Sequence, residues 1–451
     1  MNFTIKLDKL ETPVFWLDGG ESSDPISCLS MGRCKPLKNV SKSNVNLLIL
    51  SPKQADEEEK ILKKLLFDLS EGIKEEKKLK RKRWKGFQEI FGTELEFKFD
   101  NYEKSGENYV SNIFQKLDNS KDYDLVIIYM PENRRSRTEG PYFNVKVYAI
   151  ENEIKEQIII KPTIDKIKYN NNEDILKYND LLWNLALSIF TKLGGVPWRL
   201  KIDMSPVDAF LALSTIIKPE VSGGKRRAGI TVLQMYNNWG EYKSSIHGKL
   251  VYIYEETNGI LNIDNNNEKE SKLKELVSTI AKGVKGKNVI VHLTDLYAKS
   301  FYEKIYDILK SDKGANDVKI IRTHQTSPLR LYENIEEPSK AWPEVGVYWF
   351  LKPNKIAQLY TTGKWQYSPY TLYAVPKHAI RPIQVSLEYP ETSDLTTDDL
   401  RDILWLTKLY PYMLDGPRTR IPMDLSLSYR YAQIVASDEN VGKLKDITFL
   451  Y

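Results

Sequence analysis

Cysteine and histidine are scarce in this chain, which has only Cys28 and Cys34 of the first and His247, His292, His324 and His378 of the second. None of these stands at a spacing that would ligate zinc, and two cysteines with no further partners give no disulfide framework. Long apolar runs are missing too. No stretch approaches the roughly 20 residues a membrane-crossing helix needs, and the opening Met1-Asn2-Phe3-Thr4-Ile5-Lys6 has no apolar signal-peptide core, so a cytoplasmic protein is expected. There is no Gly-x-x-x-x-Gly-Lys-Ser/Thr loop to cradle the phosphates of ATP, and Gly223-Gly224-Lys225 reads as a turn with basic flanks. A net charge of +5 over 451 residues excludes a histone-like tail and leaves a mild attraction to nucleic acid. Internal repeats are absent, and the short asparagine runs at 170–172 and 265–267 read as loops.

What is present is enough apolar material, 41% of residues, to build more than one core, and the length corresponds to two or three domains of about 100–200 residues each. Residues 1–40 scatter Gly, Pro and Ser without a period and are predicted to form an extended segment packed on the rest. From 45 to 50 the chain reads as a buried strand. A helical stripe follows, made of Ile61, Leu62, Leu65, Leu66, Leu69 and Ile73, and 125–130 reads as a second buried strand. Strand alternating with helix predicts a parallel α/β sheet, whose ligands gather beyond the carboxyl ends of the strands. After Trp198 the pattern changes. Strands are predicted at 208–214, 228–236 and 249–254, a helix at 271–283, a strand at 288–292 and a helix at 298–309.

The residues that carry chemistry lie between these halves. Tyr142 and Lys146 stand four apart, so on a helix a phenol and an ammonium point from one face. Gln157 opens the apolar strand Ile158-Ile159-Ile160, and Lys192 precedes Gly194-Gly195, where a later helix ends. Together the four supply donors, positive charge and an aromatic stacking face, which is what the phosphorylated end of a nucleic-acid strand requires. The densest basic run, 77–85, reads as a solvated helix face, although Trp84 within it is compatible with contact to a nucleic-acid backbone. Arg134, Arg135 and Arg137 form a second cluster just before the Tyr142 helix and are the better candidates for backbone contact.

The ordered set Tyr142, Lys146, Gln157 and Lys192, followed by Lys192-Leu193-Gly194-Gly195-Val196-Pro197-Trp198, resembles the Argonaute family, specifically the short prokaryotic form of MID and PIWI domains only. The resemblance implies an α/β fold with a Rossmann-like MID domain at 41–165, an RNase H-like PIWI domain at 166–451 and no PAZ domain. It also implies that the later PIWI strands lie at 347–350 and 359–363 with a final helix at 422–436, and that the four residues bind the 5′-phosphate of a guide strand. A further family lysine is replaced by Ser188, which leaves the anchor one charge poorer. The terminal carboxylate of Tyr451 and Gln157 are expected to hold a Mg²⁺ against the guide's 5′ end.

PIWI nucleases need carboxylates to hold two metal ions about 3.5–4 Å apart. At the matching positions this chain has Ser214, Thr294 and Gln433, and none of Glu255, Glu256 and Glu268 is a convincing further carboxylate. The expectation is a catalytically inactive protein that takes a guide RNA, recognises target DNA by base pairing and acts in defence against invading DNA through separate effector proteins, possible targets of which include a membrane. The alternative is an active guided endonuclease using Asp203 and Asp295.

Overall fold

The computed structural model describes residues 6–11, 13–53, 55–74, 79, 82–104, 109–132, 139–168, 175–201, 206–217, 226–255, 260–263, 267–311, 314–325, 327, 329, 343–363, 381–409, 420–438, 441, 444 and 450. They divide into two compact units, one built mainly on Phe15–Arg199 and the other on Met1–Val14 and Leu200–Ala436. Among the described residues no helix is long and apolar enough to cross a membrane.

A two-residue strand, β1 (Asp8–Lys9), belongs to the larger unit. The smaller unit begins with the hairpin β2 (Phe15–Leu17) and β3 (Gly20–Ser22) and a short helix α1 (Pro25–Ser30), so the segment expected to be extended carries a hairpin and a helical turn. Asp24 caps α1 by accepting from the Ser27 amide at 3.2 Å. The absence of a disulfide framework is corrected here: Cys28 and Cys34 are joined, with Cα atoms 5.4 Å apart. The chain reverses through Gly32, whose φ of +66° suits glycine, and the Arg33 amide returns to the Cys28 carbonyl at 3.1 Å.

Four strands then form a wholly parallel sheet: β4 (Asn44–Pro52), β5 (Glu94–Tyr102), β6 (Leu125–Met130) and β7 (Glu156–Ile160), in the order β5-β4-β6-β7. β6 is buried at all six positions, as its unbroken apolar run requires of a strand covered on both faces. The helices are α2 (Asp56–Glu71), α3 (Phe87–Phe91), α4 (Tyr109–Asp118), α5 (Pro141–Glu151), α6 (Lys161–Lys168) and α7 (Ile175–Lys192). α2 buries Leu62, Leu65, Leu66 and Leu69 of the predicted stripe, whose Ile73 lies beyond the helix end, and its first turn carries Asp56, Glu57, Glu58 and Glu59 against the positive end of the helix dipole.

The basic run does not make a purely solvated face. Leu79 and Trp84 are fully buried and Lys82 is nearly so. Trp84 lies 4.9 Å edge-on to Trp183 of α7 and 5.9 Å from Phe91, and its indole N–H donates to the Leu69 carbonyl at 3.0 Å. Asn179 of α7 accepts from the Trp84 amide at 2.8 Å and donates to the Lys82 carbonyl at 3.0 Å. Trp84 is therefore a core residue and not a nucleic-acid contact. The same packing ties α7 to the smaller unit, whose main segment ends at Arg199; the expected boundary after 165 falls inside α6.

Among the described residues the larger unit is built on a ten-stranded mixed sheet. Following the two-residue β8 (Arg199–Leu200), the strands β9 (Ala209–Ile217), β10 (Arg226–Asn237) and β11 (Tyr242–Glu255) correspond to the three predicted strands and form with β12 (Ile260–Ile263) an antiparallel meander. Helix α8 (Asn267–Ala281) precedes β13 (Asn288–Leu293), and α9 (Lys299–Lys310) precedes β14 (Asp317–His324). β13 runs parallel to both β9 and β14. One face of these strands, with Leu211, Leu213, Val289, Val291 and Leu293, packs on Leu273, Val277, Phe301 and Ile305 of α8 and α9.

The strands β15 (Val347–Lys352), β16 (Ile356–Leu359) and β17 (Ile383–Tyr389) complete the sheet, and the helices α10 (Thr397–Leu409) and α11 (Met423–Ser437) follow. The strand expected at 359–363 instead ends at Leu359. α11 meets the opposite face: Ser428 donates to the Ala212 carbonyl at 3.2 Å, and the Asp424 carboxylate lies 2.8 Å from Nδ1 of His292.

Candidate functional site

Three of the four predicted anchor residues converge in the smaller unit, and a fifth residue that the sequence did not single out joins them. Helix α5 starts at Pro141, whose fixed φ and missing N–H suit the first helical position, and carries Tyr142 and Lys146. Lys146 is buried, and its ammonium lies 2.7 Å from Oε1 of Glu156, the fully buried first residue of β7. α7 ends at Lys192, also buried, which donates to the Glu156 main-chain carbonyl at 2.5 Å and to Oε1 of Gln157 at 3.0 Å. Its distance to Oε2 of Glu156 is 3.7 Å. Ser188, one turn earlier, donates to the same Gln157 oxygen at 2.6 Å. Two donors on that oxygen fix which way the amide points.

Lys192 is held in place by the helix ending behind it. The Gly194 amide returns to Thr191 and the Gly195 amide to Phe190, while Gly194 has a φ of +92° that favours glycine. A Cβ on Gly195 would stand 2.4 Å from the Phe190 ring, so this position needs glycine for space. Tyr142, one turn before Lys146, is half-buried against the apolar cluster that includes Val126 and Val145. Its ring lies 5.3 Å from that of Phe143.

The cluster sits at the amino end of the sheet, since Glu156 and Gln157 are the first residues of β7 and lie beside Val126 and Ile127 near the start of β6. A site beyond the carboxyl ends of the strands was expected. The difference arises because Lys146 lies well inside α5 and is drawn to Glu156, while Lys192 comes from the far end of α7. Two buried ammonium groups carry a large desolvation cost unless charge and hydrogen bonds compensate them, and Glu156 supplies that compensation from within the protein. Lys146, Lys192 and Glu156 have a formal sum of +1. Such a cluster can receive an anion.

Gln157 does not fit the expected role of magnesium ligand in this arrangement, because its oxygen already accepts from Ser188 and from the Lys192 ammonium. Tyr451 lies outside the described residues, as do Arg134, Arg135, Arg137 and Asp203.

In the larger unit, parallel pairing sets Leu213 of β9 beside Leu293 of β13 and Leu293 beside Arg322 of β14. Ser214 and Thr323, the next residues, belong to β9 and β14, while Thr294 follows the end of β13. The hydroxyls of Ser214 and Thr323 are buried without a hydrogen-bond partner. Gln433 is buried on α11, but nine positions after Asp424 it lies about half a turn round the helix from the row Asp424, Ser428 and Tyr431 that meets the sheet. Among the described residues no group of three or more His, Cys, Asp or Glu is placed to hold a metal ion.

Asp295 follows Thr294 and is partly buried. Burial pushes its carboxyl up to about 6, against the lowering effects of the Thr215 amide, the Thr294 hydroxyl and Arg322. A carboxyl whose folded pKa exceeds its unfolded value of 3.8 favours folding fully below that value and loses the contribution as pH rises towards about 6. Asp295→Asn is expected to raise stability at pH 7.5 by roughly 1–3 kcal/mol and to change it little at pH 4. Chemical denaturation at the two pH values measures this; equal effects at both would contradict it.

No family model matches the chain, and no curated protein matches it in sequence. Solved structures do match its fold. Clostridium butyricum Argonaute, bound to a guide DNA and a 19-mer target DNA, is 18% identical with a TM-score of 0.65, covering 96% of this chain and 54% of that one. A. aeolicus Argonaute is also 18% identical, with a TM-score of 0.59 and coverage of 98% and 55%. Drosophila Piwi is 12% identical, with a TM-score of 0.64 and coverage of 98% and 56%. The chain spans about half the length of these structures. Its two units together thus have the fold of part of an Argonaute or Piwi protein.

Proposed function

We propose that the chain is a guide-dependent nucleic-acid-binding protein of the short, MID–PIWI type. The smaller unit is the MID-like domain and takes the 5′-phosphate of a guide strand at Lys146, Gln157 and Lys192, with Tyr142 beside the first nucleotide. The larger, PIWI-like unit carries the guide and target backbones, and base pairing supplies the sequence recognition. The observation that carries this reading is the convergence of two buried lysines and an oriented glutamine at one place, within a fold similar to Argonautes. RNA is the proposed guide and DNA the proposed target, with defence carried out through a separate effector protein.

The PIWI-like unit is proposed to lack cleavage activity, because Ser214 and Thr294 bring hydroxyls where two-metal chemistry needs carboxylates. Protein purified from cells is expected to carry short 5′-phosphorylated RNA and, once loaded, to bind a complementary DNA without cutting it in Mg²⁺ or Mn²⁺. End-labelling of the extracted strands and a cleavage assay test both parts. Random or absent nucleic acid would contradict guided binding, and a guide-directed product would restore the endonuclease reading.

A further inference from the structure

We propose that Glu156 is the internal counter-anion of the phosphate pocket, a residue that limits the affinity for a terminal phosphate and keeps the bound strand exchangeable. This inference rests on the reading of Lys146 and Lys192 as a terminal-phosphate site. Glu156 is fully buried, and its Oε1 holds the Lys146 ammonium at 2.7 Å. Its other oxygen, Oε2, has no hydrogen-bond partner and lies 3.7 Å from the Lys192 ammonium. A buried carboxylate with one oxygen left unbonded is a costly arrangement for structure alone, since a buried ion pair contributes little unless its remaining lone pairs are satisfied. A neutral hydrogen-bonding side chain would open the same strand at lower cost.

The carboxylate makes physical sense as a charge partner of the two lysines. With no strand bound, two buried ammonium groups face each other's charge, and Glu156 offsets it. When a phosphomonoester of charge about −1.5 to −2 arrives, it must share both lysines with a fixed carboxylate a few ångströms away. Repulsion between like charges at that distance in a partly desolvated site is substantial. The protein thereby gives up affinity for the strand end in exchange for a stable unloaded state. Gln157, held by Ser188 and Lys192, adds a donor-acceptor group without adding charge.

The test is fluorescence anisotropy on the full chain, stripped of nucleic acid, with one RNA sequence carrying either a 5′-phosphate or a 5′-hydroxyl. For Glu156→Gln the preference for the phosphorylated strand is expected to rise at least tenfold over wild type, with most of the gain in slower dissociation. Glu156→Thr, which suits a strand and also removes the carboxylate, is expected to shift the preference in the same direction. A folded variant whose preference is unchanged or reduced overturns the proposal and leaves Glu156 as a positioning residue for the lysines. Failure of both variants to fold also overturns it, in favour of a structural ion pair. If the wild type itself shows no preference for the 5′-phosphate, the underlying reading of the pocket fails, and a gain on removing Glu156 has no phosphate to act on.

Discussion

Replacing Lys146 and Lys192 together by glutamine is expected to lower the preference for 5′-phosphorylated over 5′-hydroxylated RNA by roughly 10²–10⁴-fold, from about 1.5–3 kcal/mol for each hydrogen bond to a charged group. Both side chains are buried and meet at Glu156. The double variant also strands the buried Glu156 carboxylate, and an unpaired buried charge costs about 3–5 kcal/mol of stability. A weakened protein could lose binding for that reason alone. The triple variant Lys146→Gln, Lys192→Gln, Glu156→Gln separates the two causes. It removes all three charges together, so it is expected to regain stability relative to the double variant while the phosphate preference stays lost. Recovery of the preference in the triple variant would contradict the account, because no cation of the cluster would remain to produce it.

The second large effect concerns what holds Lys192 in position. Trp84→Ala is expected to destabilise the smaller unit by about 3–5 kcal/mol, the range for emptying a large aromatic site in a core. The ring is fully buried among Trp183, Phe87 and Phe91, with Trp183 4.9 Å away, and its N–H is bonded to carbonyls at the end of α2. Removing it takes away the packing that seats the middle of α7, the helix whose last residue is Lys192. Urea unfolding followed by circular dichroism measures the loss. Unchanged stability with weaker nucleic-acid binding would instead support the contact role that the surrounding basic run suggests.

The elements that sequence alone conveyed were those in which one physical signal dominates. The apolar run of β6 could only be a covered strand, and the stripe of α2 only one face of a helix. The strands β9, β10, β11 and β13 were legible for the same reason. The strand β17 and helix α10 were not singled out. α10 is buried at Asp399, Asp402 and Lys408 as well as at its apolar positions, so its charges hide the periodicity that marks an amphipathic helix.

At the pocket, spacing revealed the lysines but not their partner. Glu156 is a charge next to an apolar run, and nothing along the chain says that two lysines, ten residues before it and thirty-six after it, close upon its carboxylate and carbonyl. The available signal was the cost of an acidic residue opening an otherwise apolar strand, which asks for a buried cation. Trp84 was obscured in the opposite way. Its basic neighbours suggested solvent, while its size and its fit to Trp183 placed it in the core. The joining of Cys28 to Cys34 depended on a reversal at Gly32 that cysteine counting does not register.

The most direct test of the central claim is the dissociation constant of the stripped wild-type protein for a single RNA sequence with and without its 5′-phosphate, measured at one salt concentration. The phosphorylated strand is expected to bind at least about a hundredfold more tightly, the equivalent of roughly 3 kcal/mol from the two lysines. Equal affinity for the two strands would contradict it.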